Sequence, residues 1–137
     1  MVLFIDLDIL LDAVLTREPF DFYAVRVLSL VDSGNHVLYT SAHSLINVYY
    51  FTKKIAGQPA ALKSISLLRE KLEIAPTNNK AIGYALASDF TDIEDAVQYD
   101  IALQNKCKVI ITRNIKDYQK SSIPVMTAEQ YLRSTFG

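Results

Sequence analysis

Four acidic residues fall into two clusters that lie far apart in the chain. Asp6 and Asp8 directly follow the first apolar run. Glu94 and Asp95 open a helical pattern ahead of the apolar run at residues 108–112. Carboxylates that a fold brings together repel one another and resist simultaneous ionisation, and a divalent cation with oxygen ligands removes that conflict. The two clusters therefore predict a Mg²⁺ or Mn²⁺ site used in phosphoryl chemistry.

The length, composition and charge of the chain limit the kinds of protein that it can be. The chain has 137 residues, half of them apolar, and a formal net charge of −1. A single domain over residues 1–137 can then bury about two-thirds of its unfolded surface. No apolar run approaches the roughly 20 residues that cross a bilayer, and the first residues lack a basic stretch before an apolar segment. We therefore expect a cytoplasmic protein with no membrane partner.

Two further observations exclude other classes. The single Cys107 rules out a disulfide framework or a sulfur-rich zinc site within one chain. The near-zero net charge argues against general electrostatic capture of nucleic acid, but it leaves room for a local basic patch.

Strand-like and helix-like patterns alternate along the chain. Apolar, β-branched and aromatic runs predict strands at residues 2–5, 37–39, 72–75, 108–112 and 124–126. Apolar residues at helical spacing fill the segments between them, so the pattern predicts an α/β domain with a parallel sheet. Residues that follow the strands of such a sheet gather in a crevice at its carboxyl edge, which places Asp6 there. A carboxylate at that edge must be hydrogen-bonded, ion-paired or metal-bound.

Polar residues and glycines predict where the helices begin and end. N-caps are expected at Asp21, Ser41, Thr77 and Thr127. Helix ends are expected near Gly34 and Gly57. A further capped helix is expected from Ile93 to about Gln104, and Asp95 then lies in a first turn, where the helix dipole favours an anion.

Three short motifs follow one another in a defined order. The first strand leads into Asp-Leu-Asp-Ile-Leu-Leu-Asp at residues 6–12, and a helix starts with Ile-Glu-Asp-Ala-Val-Gln at residues 93–98. An apolar strand then closes in Thr-Arg-Asn, with Asp-Tyr nearby, at residues 112–118. Together with the closing segment at residues 123–129, this order resembles a PIN domain over nearly the whole chain. The PIN domain is a nuclease-like fold found in many toxin components of bacterial and archaeal toxin–antitoxin pairs.

The resemblance implies a three-layer α/β/α sandwich with a central, mostly parallel sheet of about five strands. The chain departs from the family pattern on the helix after the second strand, where Asn47 stands in place of the usual Glu or Asp. An amide oxygen can contact a hard cation, but it lowers the negative charge of the site. At the end of the Thr-Arg-Asn motif, Asn114 likewise stands where the family frequently has an acidic residue. Asp117 and Asp8 are placed to restore part of the charge.

The resemblance also assigns expected roles to residues of these motifs. The side chains expected to hold Mg²⁺ or Mn²⁺ are Asp6, Asp8, Asp95 and Asn47. Those expected to be catalytic are Asp6, Asp95 and Asp117. Those expected to orient the ligands are Thr112, Asn114 and Glu94. Those expected to meet RNA phosphates are Arg113 and Lys116.

Three residues near the motifs have simpler interpretations. Asp8 is either the N-cap of the first helix or a metal ligand. Asp12 is expected on a solvated helix face. His43 is expected to hydrogen-bond locally rather than to act as a base.

Three functions stay open on the sequence. The first is a metal-dependent endoribonuclease of toxin type, with RNA as substrate, a small antitoxin protein as partner and a homodimer as its assembly. The second is a PIN-like domain with a depleted metal site that binds RNA or a partner protein without cleavage. The third rests on residues 4–10, which also resemble the first motif of haloacid-dehalogenase-type phosphatases, with Thr40 placed like their second. In that case Asp6 would be the nucleophile.

Overall fold

A computed structural model describes residues 1–136 of the chain. Within these residues the strands are β1 (Val2–Ile5), β2 (Val37–Ser41), β3 (Glu73–Ala75), β4 (Val109–Ile111) and β5 (Val125–Met126). The α-helices are α1 (Leu7–Val14), α2 (Phe20–Leu28), α3 (Ala42–Ala56), α4 (Gln58–Lys71), α5 (Asn79–Ala87), α6 (Ile93–Gln104) and α7 (Ala128–Phe136). Short 3₁₀ helices are formed by Ser29–Ser33 and Ile115–Tyr118.

The five strands form one sheet in the order β3-β2-β1-β4-β5, and every neighbouring pair is parallel. Parallel neighbours need crossover connections, and the helices between the strands supply them. The predicted α/β class and the parallel sheet are confirmed, and the sheet is more uniform than the mostly parallel one expected.

Alternate residues of the inner strands supply two separate cores. Leu3 and Ile5 of β1 pack in a cluster with apolar residues of α1, α2, α3, α4 and α7. Phe4, between them, packs in a second cluster with α5 and α6. Successive side chains of a strand point to opposite faces, so helices cover both sides of the sheet. The predicted three-layer sandwich is confirmed.

Three of the predicted helix boundaries are confirmed by their hydrogen bonds. Ser41 Oγ accepts from the Ser44 amide at 3.1 Å and caps α3. Thr127 and Gln130 cap α7 reciprocally, each side chain accepting from the other's backbone amide at 3.0 Å. Gly34 ends the 3₁₀ turn after α2 in the left-handed region, with φ of 79°.

Two predicted caps are wrong. Asp21 lies inside the first turn of α2, since its amide already donates to the carbonyl of Arg17 and the N-cap is Pro19. Asn78, rather than Thr77, caps α5 by accepting from the Ala81 amide. Thr77 Oγ1 instead lies 2.6 Å from Nδ1 of His43, a contact between distant segments. The local hydrogen bond expected for His43 is the 3.4 Å contact of its Nε2 with Ser41 Oγ.

No helix within residues 1–136 is both long enough and apolar enough to span a membrane.

Candidate functional site

Asp6 lies where strand β1 becomes helix α1, at the carboxyl edge of the sheet. Its amide donates to the carbonyl of Ile111 at 3.0 Å and so extends the pairing of β1 with β4 by one residue. Its Oδ1 accepts from the Leu7 amide at 2.8 Å, which makes Asp6 the N-cap of α1. The side chain is held in place by a strand on one side and a helix on the other, and it is only 5% exposed.

The Asp6 carboxylate accepts four hydrogen bonds from the protein. Oδ1 accepts from the Leu7 amide and from Gln98 Nε2 at 3.1 Å. Oδ2 accepts from Thr112 Oγ1 at 2.9 Å and from the hydroxyl of Tyr118 at 3.1 Å. All four donors are neutral groups. A buried carboxylate without a cationic partner requires such donors.

Gln98 links Asp6 to helix α3. Its Nε2 also donates to Ser44 Oγ at 2.8 Å, and Ser44 Oγ accepts in turn from the hydroxyl of Ser41 at 2.9 Å. The amide is oriented by its carboxylate acceptor, because only nitrogen can donate to Asp6. Gln98 is fully buried, and its Oε1 has no hydrogen-bond partner among the described residues.

Gln98 and Tyr118 are site residues to which sequence reasoning assigned no role. The signal for Gln98 is a long polar side chain among the buried residues of α6, three positions after Asp95. The signal for Tyr118 is weaker, since an aromatic residue next to Asp117 is explained equally well by core packing.

Asp8 faces the segment that follows β4. Its Oδ2 accepts from the Arg113 amide at 2.8 Å, and Thr112 Oγ1 lies 3.4 Å from its Oδ1. Burial, and next the negative charge of Asp6, raise the pKa of Asp8 from 3.8 to about 6. The N-cap interpretation of Asp8 is wrong, because Asp6 fills that position.

Asp95 and Glu94 approach Asp6 from the start of α6. Their amides donate to Oδ1 of Asp92, which caps the helix and fixes its first turn. Burial is the largest cause that raises the pKa of Asp95 to about 7, and the charge of Asp6 is the next. The same two causes raise the pKa of Glu94. The two acidic clusters of the sequence therefore act on each other electrostatically in the folded chain.

These carboxylates share one cleft, here called the acidic cleft, of about 250 Å³. It is lined by Asp6, Leu7, Asp8, Leu11, Arg17, Phe51, Glu94, Asp95 and Asn114. In the described part of the chain, none of its four carboxylates forms a salt bridge with a lysine, arginine or histidine. Negative charge without a paired cation and an all-oxygen donor set fit a hard divalent ion.

The spacing of these carboxylates is wider than that of a formed metal centre. Within residues 1–136 no three Asp, Glu, His or Cys side chains lie close enough together to hold an ion. The donors fit a divalent ion in chemistry and charge, and binding would require their side chains to move closer together.

Asp12 does not lie on a solvated helix face, and that prediction is wrong. The residue is fully buried, and its carboxylate accepts from Arg113 Nε at 2.7 Å and Nη2 at 2.9 Å. Asp12 lies one turn after Asp8, so both residues face the segment after β4. Arg113 also stacks over the ring of Phe20, 4.0 Å from its centroid. The Arg113 guanidinium, predicted to meet RNA, is already paired inside the protein.

Thr112, described above, and three further predicted site residues also lie outside the lining of the cleft. Asn47 is half-buried on α3, one turn from Ser44 and one turn from Phe51. Asp117 is exposed, and its negative charge contributes to the raised pKa of Asp95. Lys116 is exposed beside it.

The fold and the site define a class: a parallel α/β sandwich with an acidic cleft at the carboxyl edge of its sheet. Residues 2–116 match the family described as the PIN domain. The chain belongs to the PIN domain family. PIN ribonucleases generally depend on a divalent metal ion.

Known proteins with similar sequence or structure agree with this assignment. The chain is 29% identical over 133 residues to Ribonuclease VapC1 of Aquifex aeolicus (strain VF5), covering 93% of this chain and 91% of that protein. A toxin–antitoxin complex from Klebsiella pneumoniae superposes with a TM-score of 0.68 at 22% identity, covering 93% of this chain and 98% of that one. VapC20 of Mycobacterium tuberculosis, a sarcin–ricin loop cleaving toxin, superposes with a TM-score of 0.63 at 16% identity, covering 79% and 86%. Because the two solved structures share only 22% and 16% of their residues with this chain, these matches establish the fold alone.

The phosphatase hypothesis does not agree with the structure or with the family. Thr40 is fully buried, and its hydroxyl donates to the carbonyl of Ile5 at 2.9 Å. The hydroxyl of Thr40 thus forms a hydrogen bond between strands β1 and β2, and it is not available to hold a phosphate.

Proposed function

We propose that the chain is a metal-dependent endoribonuclease of toxin type that uses Mg²⁺ or Mn²⁺. The observation that carries the proposal is the acidic cleft, where Asp6, Asp8 and Asp95 share a small volume without a paired cation. Burial, and next the negative charge of Asp6, raise the pKa values of Asp8 and Asp95, so the cleft disfavours ionised carboxylates that no cation balances. The 29% identity to a protein named as a ribonuclease supports the same activity.

The proposal gives each residue of the cleft a task. Asp6 would be the central ligand of the ion, and Asp8 and Asp95 would supply further carboxylate oxygens. When bound, a divalent ion lowers the pKa of a coordinated water and offsets the charge of the scissile phosphate. Asn47 and Asp117 supply further oxygen atoms from the rim. Thr112, Asn114 and Glu94 hold the ligand side chains in orientation.

RNA would enter from the side of the cleft that carries basic residues. Arg17 lines the cleft, and its side chain is about one-third exposed. Lys116 is exposed near the end of β4. These two cations can contact phosphates on either side of the scissile bond, and such contacts position RNA without reading its sequence. Arg113 contributes mainly by holding Asp8 with its backbone amide.

The biological setting is part of the proposal. Solved toxin–antitoxin complexes share this fold, so we propose a small antitoxin protein as partner. A homodimer in the cytoplasm is proposed on the basis of the family resemblance.

The test combines metal binding with RNA cleavage. Mn²⁺ is titrated by calorimetry into the wild type, Asp6→Asn, Asp95→Asn and the control Glu70→Gln, which changes an exposed acid on α4. The same four proteins are incubated with single-stranded RNA of randomised sequence, with Mg²⁺ or with a chelator. We expect the two cleft variants to lose Mn²⁺ binding and metal-dependent cleavage, and the control to keep both. RNA binding without cleavage at saturating metal would support the depleted-site alternative, and Mn²⁺ binding that survives Asp6→Asn would contradict the proposed ligand set.

A further inference from the structure

The Asp6 carboxylate has no hydrogen-bonding position left over. A carboxylate offers about four lone-pair positions. In this chain the protein fills them with Leu7 N, Gln98 Nε2, Thr112 Oγ1 and the Tyr118 hydroxyl. An ion that binds Asp6 directly must therefore displace one of these donors.

The four donors differ in how they are held. The Leu7 amide belongs to the helix that Asp6 caps. Gln98 Nε2 also donates to Ser44, and Thr112 Oγ1 also lies 3.4 Å from Asp8. The Tyr118 hydroxyl, by contrast, has Asp6 as its sole hydrogen-bond partner among residues 1–136. Breaking this bond leaves the hydrogen bonds of the other three donors intact.

The Tyr118 hydroxyl binds Asp6 Oδ2, the same oxygen that accepts from Thr112 Oγ1, and Thr112 Oγ1 lies 3.4 Å from Asp8. Burial is the main cause that raises the pKa of Tyr118, followed by the negative charges of Asp6 and Asp95. The hydroxyl is thus close to carboxylates from both acidic clusters. Its ring is 2% exposed and packs edge-to-face with Phe90, with centroids 6.3 Å apart, so the hydroxyl cannot turn out to solvent.

We propose that the Tyr118 hydroxyl competes with the metal ion for Asp6, as a positioning residue that holds the carboxylate in the metal-free protein and weakens ion binding. This inference rests on the proposed metal site. In the Tyr118→Phe variant, the ring remains and Asp6 keeps three donors, so the ion no longer displaces a hydrogen bond. We expect the Kd for Mn²⁺ to fall about tenfold, which corresponds to about 1.4 kcal/mol.

Tyr99 offers a matched control. It is also buried in the second core cluster, and its hydroxyl is hydrogen-bonded to Ser122 Oγ at 2.8 Å and the Ser122 amide at 3.0 Å, away from Asp6. Tyr99→Phe thus removes a buried tyrosine hydroxyl without changing the donors of Asp6. Mn²⁺ is titrated by calorimetry into full-length wild type, Tyr118→Phe, Tyr99→Phe and Asp6→Asn, with circular dichroism to verify folding. We expect the Tyr99→Phe Kd to stay within about twofold of the wild type.

A second measurement follows the hydroxyl itself in the unmodified protein. The chain has eight tyrosines and no tryptophan, so its near-ultraviolet absorbance reports on tyrosine. Saturation with Mg²⁺ should change the tyrosine absorbance of the wild type and of Tyr99→Phe, but not that of Tyr118→Phe. This measurement keeps the inference testable even if Tyr118→Phe does not fold.

The outcomes separate this inference from the proposed function. If the wild type binds Mn²⁺, Asp6→Asn does not, and Tyr118→Phe binds no more tightly than the wild type, the metal site stands and the inference is overturned. An equal gain in Tyr99→Phe, or an unchanged wild-type absorbance at saturating Mg²⁺, also overturns it. If neither the wild type nor Tyr118→Phe binds Mn²⁺, both proposals are wrong.

Discussion

Arg113 and Asp12 form a two-point ion pair, with Nε–Oδ2 at 2.7 Å and Nη2–Oδ1 at 2.9 Å, between residues 101 positions apart in the chain. The pair fastens the segment after β4 to helix α1. The hydrogen bond with Asp12 is the largest cause that raises the pKa of Arg113. The backbone amide of Arg113 also donates to Asp8 on α1. Because the ion pair fixes Arg113, it also supports the wall of the acidic cleft that carries Asp8.

We expect Arg113→Ala to destabilise the protein by about 3 kcal/mol, because Asp12 would be left as a buried charge with only Arg17, 3.9 Å away, in reach. Arg133→Ala is the control, since its pair with Glu129 is exposed at a similar distance of 2.8 Å. An exposed pair contributes little to stability, because water and salt screen its attraction. Urea unfolding measures the free energy of unfolding of both variants. Equal decreases in Arg113→Ala and Arg133→Ala would show that the buried pair has no special role.

Gln98→Ala should lower the free energy of unfolding by about 2 kcal/mol in the absence of metal. The substitution removes hydrogen bonds to Asp6 and Ser44 and leaves a cavity behind a buried carboxylate. Gln104→Ala on the same helix removes one long bond of 3.4 Å from an exposed side chain and should change stability by less than about 0.5 kcal/mol. Urea unfolding in the presence of a chelator tests the difference. Similar values for the two variants would contradict the role given to Gln98.

The sequence predicts the fold and the location of the site better than it predicts the contacts within the site. The carboxyl edge was predictable because β1 is an apolar run and Asp6 is the residue that follows it. The helix over Ile93–Gln104 was predicted with the boundaries that the structure has, because a polar stretch with a capping acid precedes an apolar pattern. These features depend on neighbours in sequence.

The contacts that sequence reasoning missed join distant segments. Gln98 and Tyr118 lie 92 and 112 positions from Asp6. Whether their side chains reach Asp6 depends on how α6 and the segment after β4 pack against β1. Asp12 was placed on a solvated face because its partner Arg113 cannot be read from the local pattern. A carboxylate on a helix is usually solvated, and only tertiary packing reveals the exception.

Without metal, the contribution of Asp95 to stability should fall as the pH rises from about 4 to about 7. The folded pKa of Asp95 is raised to about 7 from 3.8, so in this window the folded protein binds more protons than the unfolded chain. Ionising the group therefore costs stability, about 1 kcal/mol at this half-buried carboxyl after allowance for solvent screening. The free energy of unfolding in a chelator at pH 5 and pH 8 measures the effect. Asp95→Asn should remove this contribution, and a pH dependence that is the same in the wild type and in Asp95→Asn would contradict the electrostatic description of the cleft.

Asn47→Asp should tighten Mn²⁺ binding about threefold to tenfold. The change places a carboxylate where PIN domains usually carry an acid, on the face of α3 between Ser44 and Phe51, and ligand charge raises the affinity of oxygen sites for divalent ions. Without metal the added charge should lower stability, because it joins carboxylates that already repel one another. Asn79→Asp, an exposed change at the start of α5, is the control and should leave Mn²⁺ affinity unchanged. Calorimetric titration of both variants decides the matter: unchanged or weaker Mn²⁺ binding in Asn47→Asp would show that this position takes no part in holding the ion.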